Sequence, residues 1–304
     1  MDIYLPIAGM SVNALLIIAL GWVVGLLSGM FGVGGGFLTT PLLIFYGIPP
    51  TVAVASATTQ ITGSSVSGVH AHWRRGGVDF KMGGVMVAGG IVGSLIGALL
   101  FRWLQSSGQI DLIIGFLYVL LLGGIGGLML KDALVALGWV EAPQAAAKTP
   151  ARHNRWVASL PLRWRFYASG VFISPLAPLA LGFVAGILTM LLGVGGGFIM
   201  VPAMIYLFGM APRVVIGTSL IMILAVSAVT TMLHSMTTHA VDIVLAGLLL
   251  IGGVVGAQYG ARLATRLKPD LLRMALAVII LLVALRMAIG LAWRPDEIYT
   301  VTFL

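Results

Sequence analysis

The sequence predicts an all-α integral membrane protein built from two inverted-topology repeats. It would have about 8–10 membrane helices, with short or broken helices after glycine runs. Three observations lead there. The first is composition: of 304 residues, 60% are hydrophobic and only 9% charged, with a mean hydropathy of +1.09. A soluble domain carries ~25% charged residues, so this chain cannot cover a water-facing surface. The second is a set of long apolar segments, and the third is an internal repeat.

The apolar segments run near 12–31, 51–71, 79–101, 110–130, 170–192, 213–234, 242–264 and 271–292. Each is near the ~20 residues needed to cross a bilayer. Two shorter segments, 37–47 and 198–208, are too short to cross alone. The runs are continuous and lack the alternation of a barrel, so strands are not expected. The first stretch exceeds a signal-peptide core and shows no small-residue cleavage site, so it is read as mature protein. Cysteine is absent, which removes disulfides and thiolate metal sites. The net charge of +8 sits in loops, which favours a membrane topology over a nucleic-acid partner.

The halves are copies. Gly32-Val33-Gly34-Gly35-Gly36 recurs as Gly193-Val194-Gly195-Gly196-Gly197, followed in turn by Phe37 and Phe198, then Pro41 and Pro202. Pro50 matches Pro212, His72 matches His234, and Asp79 matches Asp242. The ladder Gly89, Gly93, Gly97 matches Gly252, Gly256, Gly260. The expected division is a first membrane repeat over 1–130 and a basic cytoplasmic linker over 131–168. A second repeat over 169–293 and a tail over 294–304 follow.

Charge gives the orientation. Arg74, Arg75 and Lys81 lie in a loop two spans before the basic linker, so both are assigned to the cytoplasm. In the second half the equivalent loop lacks Lys and Arg, and Arg262, Arg266 and Lys268 occupy the next loop. That shift is what inversion predicts. Each half then crosses an odd number of times. Either five segments cross, or three cross and the first two form a re-entrant hairpin. Both place the termini outside.

The candidate site follows from the glycine runs. Three consecutive glycines break a helix at about 1 kcal/mol each relative to alanine. The new helix begins with backbone N–H groups that have no internal partner and favour an anion. Tight packing is the competing reading, but duplication of the run favours a binding site at Gly34, Gly35, Gly36, Gly195, Gly196 and Gly197. A dinucleotide fingerprint is excluded because Phe37 stands where the third glycine is required. Ser56, Thr59 and Gln60, with Gly63 and Ser67, share a helix face, and Thr218 and Ser219 open the second copy, ahead of Ser227, Thr230 and Thr231. Hydroxyl and amide donors suit an oxyanion, although such side chains often bond back to their own helix. The Ser56, Thr59, Gln60 cluster and the Thr218, Ser219 pair are therefore assigned to the pocket.

His72 and His234 are candidates for proton coupling. His70 and His239 are read as loop or interface residues. Asp79 and Asp242 are read as helix caps, Arg286 as a snorkelling residue, Arg213 as a solvated loop charge, and the glycine ladders as packing faces. No metal, cofactor or catalytic set is expected.

The motifs GMFGVGGGFLTTPLL and LLGVGGGFIMVPAMI, each followed by a polar helix, resemble the TauE/SafE sulfite exporter family, also called the toluene sulfonate uptake permease family. The resemblance covers both halves, apart from the linker and tail. It implies a secondary transporter of small sulfur-containing anions, sulfite or an organosulfonate, with site residues at Gly34 to Gly36 and Gly195 to Gly197. Alternating access with proton coupling is expected, and a passive anion channel or uniporter is the alternative. The expected location is the inner (plasma) membrane. The expected partners are the anion and the lipid bilayer, with a homodimer left open.

Overall fold

The computed structural model describes residues 2–31, 35–74, 76–139, 164–264 and 269–292. Among them, each half contributes a short β-hairpin followed by five helices. The first half has β1 (Asp2–Leu5), β2 (Met10–Asn13), α1 (Ala14–Phe31), α2 (Gly36–Phe45), α3 (Pro50–Arg74), α4 (Phe80–Ser106) and α5 (Ile110–Ala136). The second has β3 (Trp164–Phe166), β4 (Val171–Ile173), α6 (Leu176–Leu192), α7 (Gly197–Phe208), α8 (Pro212–Thr237), α9 (Ile243–Ala264) and α10 (Pro269–Ala292).

All ten predicted apolar segments are helices. Local chemistry sets several of their ends. Asp79 caps α4 by accepting the Met82 N–H at 3.0 Å, and Asp242 caps α9 by accepting the Leu245 N–H at 3.1 Å. Proline opens α3 and α8, where its missing N–H costs nothing. Helices α4 and α5 run on to Ser106 and Ala136, because a helix can continue past the point where its sequence stops being apolar. The expectation of no strands needs correction. Two antiparallel hairpins precede α1 and α6. They are too short to show alternation, and each turns at a glycine of positive φ, Gly9 at +66° and Gly170 at +67°.

Helices α4, α5, α8, α9 and α10 are long and apolar enough to cross a membrane. Their outer faces expose Leu99, Leu112, Leu120, Leu282 and Leu285, as lipid contact requires. Helix α3 is as long but rich in Ser, Thr and His. It packs against α2, α8 and α9, which keeps much of its polar surface inside the bundle.

Two glycine seams join the halves. Along α1 and α9, a methyl at Gly25 would fall 2.2 Å from the Gly253 carbonyl oxygen, and one at Gly29 2.2 Å from that of Ala257. From the other side, methyls at Gly252, Gly256 and Gly260 would each fall 2.1 Å from a carbonyl oxygen of α1. Helices α4 and α6 repeat the pattern: Gly89 and Gly93 face the Leu179 and Phe183 carbonyls at 2.1 Å, and Gly182 and Gly186 face Met86 and Gly90. Residue numbers rise together along both seams, so each pair runs parallel. The equivalent helices α3 and α8 run antiparallel: Thr59 meets Thr231 while Gly68 meets Leu220.

The short helices fold back. Gly35, at the start of α2, lies against Val24 and Ser28 of α1. Leu43, near its end, joins Ile17 of α1 and Leu5 and Val12 of the hairpin in one buried cluster. Helix α7 does the same on α6, with Gly196 against Ala185 and Thr189.

Replacing Gly93 or Gly256 by alanine should destabilise the fold by roughly 1–3 kcal/mol, since backbone and not a side-chain tip must move. Gly127→Ala in α5, where the added methyl meets nothing within 4 Å, should be neutral or mildly stabilising. Thermal unfolding in detergent compares them.

Candidate functional site

The two glycine breaks come together. Phe37 and Phe198, matching residues of the two repeats, stack with centroids 4.5 Å apart and planes at 10°. A methyl at Gly36 would lie 2.8 Å from the Gly193 carbonyl oxygen, and one at Gly195 2.9 Å from Ile61 of α3 and 3.4 Å from Ile223 of α8. The second glycine run is therefore wedged between α2, α3 and α8. Gly195 and Gly196 take φ of +72° and +73°, and Gly193 caps α6 at +68°. Gly35 instead keeps φ at −64°. Gly34 lies outside the described residues.

Within α2 the Leu38 and Thr39 amides are the first to reach a helix carbonyl, that of Gly35; in α7, Ile199 and Met200 bond Gly196. The amides of Gly36, Phe37, Gly197 and Phe198 precede those bonds. They form the positive ends of two helices that approach one stacked aromatic pair from opposite sides. Residues 35–37 and 195–198 are all buried.

The flanking side chains differ between the halves. Beside α2, Thr39 Oγ1 lies 3.1 Å from Gln60 Oε1 and donates to the Gly35 carbonyl at 3.1 Å. Beside α7 the matching positions are Met200 and Met222, both fully buried. Met222 Sδ sits 3.7 Å from where a methyl on Gly196 would be. Thus one helix end is flanked by hydroxyl and amide, and the other by thioethers.

Gln60 therefore adjoins the glycine breaks, together with Gly35, Gly36 and Gly195 to Gly197. Thr59 lies across the α3–α8 crossing, 3.5 Å from Thr231 Oγ1. Ser94 and Thr230 pair at 3.1 Å, and Ser227, on α8, keeps a buried hydroxyl without a hydrogen-bond partner. The Ser67 side chain is outside what is described.

The other sequence candidates have local partners. Ser219 donates to the Ile216 carbonyl at 3.0 Å. Ser56 accepts the Asp242 N–H at 3.2 Å, and Thr218 accepts the Asp79 N–H at 3.0 Å. His234 is fully buried. Its Nε2 is 3.1 Å from the Met190 carbonyl, which fixes that nitrogen as a donor, and its Nδ1 is 3.3 Å from Thr238 Oγ1. Phe101 stands edge-on at 5.0 Å. His72 is only partly buried, and the antiparallel crossing puts it at the opposite end from His234. Among the described residues, no group of His, Asp or Glu side chains could hold a metal ion.

Sequence reasoning missed Thr39, Met200 and Met222. Thr39 lies three residues beyond the glycine run, and comparing the two repeats position by position would have exposed the polar and apolar contrast.

The unequal glycine conformations carry a prediction. Gly196→Ala should destabilise by about 1–2 kcal/mol through the left-handed backbone. Gly35→Ala, with ordinary φ and side-chain neighbours at 3.0 and 3.3 Å, should cost less. Unfolding midpoints of the two variants give the difference.

Comparison with known proteins agrees with this architecture. The family model described as Sulfite exporter TauE/SafE matches residues 17–287. A Bacillus subtilis relative named "Probable membrane transporter protein YjnA" is 31% identical over 274 residues, covering 89% of this chain and 98% of its own length. A Xylella fastidiosa (strain Temecula1 / ATCC 700964) relative named "Probable membrane transporter protein" is 30% identical over 294 residues, covering 94% and 97%. No solved structure matches significantly. With crossing helices, broken helices and the family match together, the chain is a multi-pass membrane transporter belonging to the TauE/SafE sulfite exporter family.

Proposed function

We propose that the protein carries small sulfur-containing anions, sulfite or an organosulfonate, across the inner (plasma) membrane by alternating access, with protons as the coupling ion. The observation that carries this reading is the meeting of two short-helix N-termini at the Phe37–Phe198 pair. Helix α2 has 10 residues, ~15 Å of length, about half of a ~30 Å hydrocarbon core. Folding back along α1 would bring its positive end to the membrane midplane, and α7 would reach the same depth from the other face.

The antiparallel run of α3 against α8 supports an inverted repeat. So does the re-entrant form of α1–α2, which leaves three crossings per half. We assign the halves to 1–130 and 169–293, with 131–168 as the cytoplasmic linker. The anion would be held by the backbone of residues 34–36 and 195–197 with Gln60, and the hydroxyl of Thr59 would line the approach. Ser56, Thr218 and Ser219 would support the site through the helix starts they bond. His234, buried with a carbonyl on Nε2, is the better proton carrier of the two matched histidines.

The unequal flanks narrow the substrate. Thr39 and Gln60 offer donors to an oxyanion head, while Met200 and Met222 offer an apolar, polarisable wall. An anion with a charged end and an organic end satisfies both, so an organosulfonate fits better than sulfite.

Proteoliposomes containing the protein test this. Labelled sulfite uptake is measured with sulfate, thiosulfate, taurine and methanesulfonate as competitors, with and without a pH gradient. Saturable flux that follows the gradient and is inhibited most by methanesulfonate is expected. Met222→Gln should reduce the preference for methanesulfonate by about tenfold, the scale of one methyl group's burial. Gln60→Met should weaken every anion. Non-saturable flux indifferent to the gradient would instead identify a channel.

A further inference from the structure

We infer that Asp79 and Asp242 are paired latches between the halves, one at each end of the molecule, and that they open alternately. The inference rests on the alternating-access reading above. Both aspartates are buried, at 3% and 0% exposure. Each does more than cap its helix. One carboxylate oxygen caps: Asp79 Oδ1 accepts the Met82 N–H, and Asp242 Oδ1 the Leu245 N–H. The second oxygen of each is turned to the other half. Asp79 Oδ2 accepts the Ser169 N–H at 3.0 Å and its hydroxyl at 2.6 Å. Asp242 Oδ2 accepts the Ile7 N–H at 3.1 Å. Ser169 lies in the β3–β4 turn and Ile7 in the β1–β2 turn.

The backbone completes each latch. The Asp79 N–H donates to Thr218 on α8, and the Asp242 N–H to Ser56 on α3. Every one of these bonds except the cap joins one half to the other. A helix cap alone needs neither the hairpin nor the hydroxyl. Because α3 and α8 run antiparallel, Ser56 and Thr218, near their starts, sit at opposite ends.

The hairpins give the latches leverage. Leu5 and Val12 share a buried cluster with Leu43, Ile48 and Val52, covering the carboxyl end of α2 and the start of α3. Phe166, Val171 and Ile173 cluster with Met204, Phe208 and Val215 at the corresponding ends of α7 and α8. Separating the halves at one end must break one latch and lift one hairpin. A buried carboxylate that loses its donors must meet water, so a partly open latch is costly and the opening is all-or-none. Both latches are closed in this structure, as an occluded state requires.

Hydrogen exchange of the protein in lipid nanodiscs tests the coupling without any substrate. Asp79→Asn should speed amide exchange in the 164–173 hairpin by about tenfold, the scale of one lost charge-assisted bond, and slow exchange in the 2–13 hairpin. Asp242→Asn should do the reverse. Ser169→Ala, which leaves the cap intact, should act as Asp79→Asn does if that variant folds poorly. A distant hairpin that does not respond to either change at residues 79 and 169 would overturn the proposal and leave two independent tethers. The cysteine-free chain allows a second arm. Oxidised Asp79→Cys/Ser169→Cys should block methanesulfonate flux and recover it on reduction; equal flux in both states would also overturn the latch. Absence of flux from the wild-type protein would refute the transport reading instead, since the coupling between hairpins is read independently.

Discussion

The structure depends on backbone meeting backbone across the glycine seams. Along α1–α9 and α4–α6, the glycine Cα atoms sit so near opposing carbonyls that no side chain fits. Lipid supplies no hydrophobic drive between helices, so association relies on close van der Waals contact and on Cα–H···O contacts. Each seam pairs one helix from each half. Neither half is therefore a self-contained bundle: each first helix is completed by the fourth helix of the other copy. The seams are smooth, with little side-chain interdigitation, which suits two bodies that must shift without unpacking.

With the seams in place, the broken helices become tolerable. A glycine run exposed to lipid would strand backbone amides at several kcal/mol each. Here both runs lie in the interior, shielded by α3 and α8, and their amide ends converge. The same cost that bars such breaks from the lipid face makes their convergence informative: unsatisfied donors kept in a dry interior are stable when an anion can occupy them.

Much of this was legible in the sequence because membrane proteins write their architecture in composition. The ten helices followed from apolar runs, the repeat from the doubled Gly-Val-Gly-Gly-Gly, and the packing role of Gly89, Gly93 and Gly97 from their spacing. Their partners were also written there, as Gly21, Gly25 and Gly29 on α1 and Gly182 and Gly186 on α6, but a seam needs two faces and sequence alone does not pair them. The hairpins escaped because strands of three or four residues carry too little pattern. Ser56 and Thr218 were read as pocket donors because residue type and helix face do not reveal that a hydroxyl is already engaged by the amide of an aspartate far along the chain. Asp79 and Asp242 were legible as caps, yet their second oxygens depend on turns that only the fold brings near.

The symmetry of the frame and the asymmetry of its centre are not in conflict. Alternating access asks the two halves to exchange conformations, so the moving parts, seams, latches and broken helices, must be near copies. The bound anion faces no such demand. Gln60 and Met222 occupy matching positions beside matching helix ends, and exchanging conformations moves both without exchanging their chemistry. A charged head held beside Gln60 in one state can stay beside it in the other while the opening changes sides. Duplication thus supplies the mechanics, and divergence at a few positions, Thr39 against Met200 and Gln60 against Met222, supplies the selectivity.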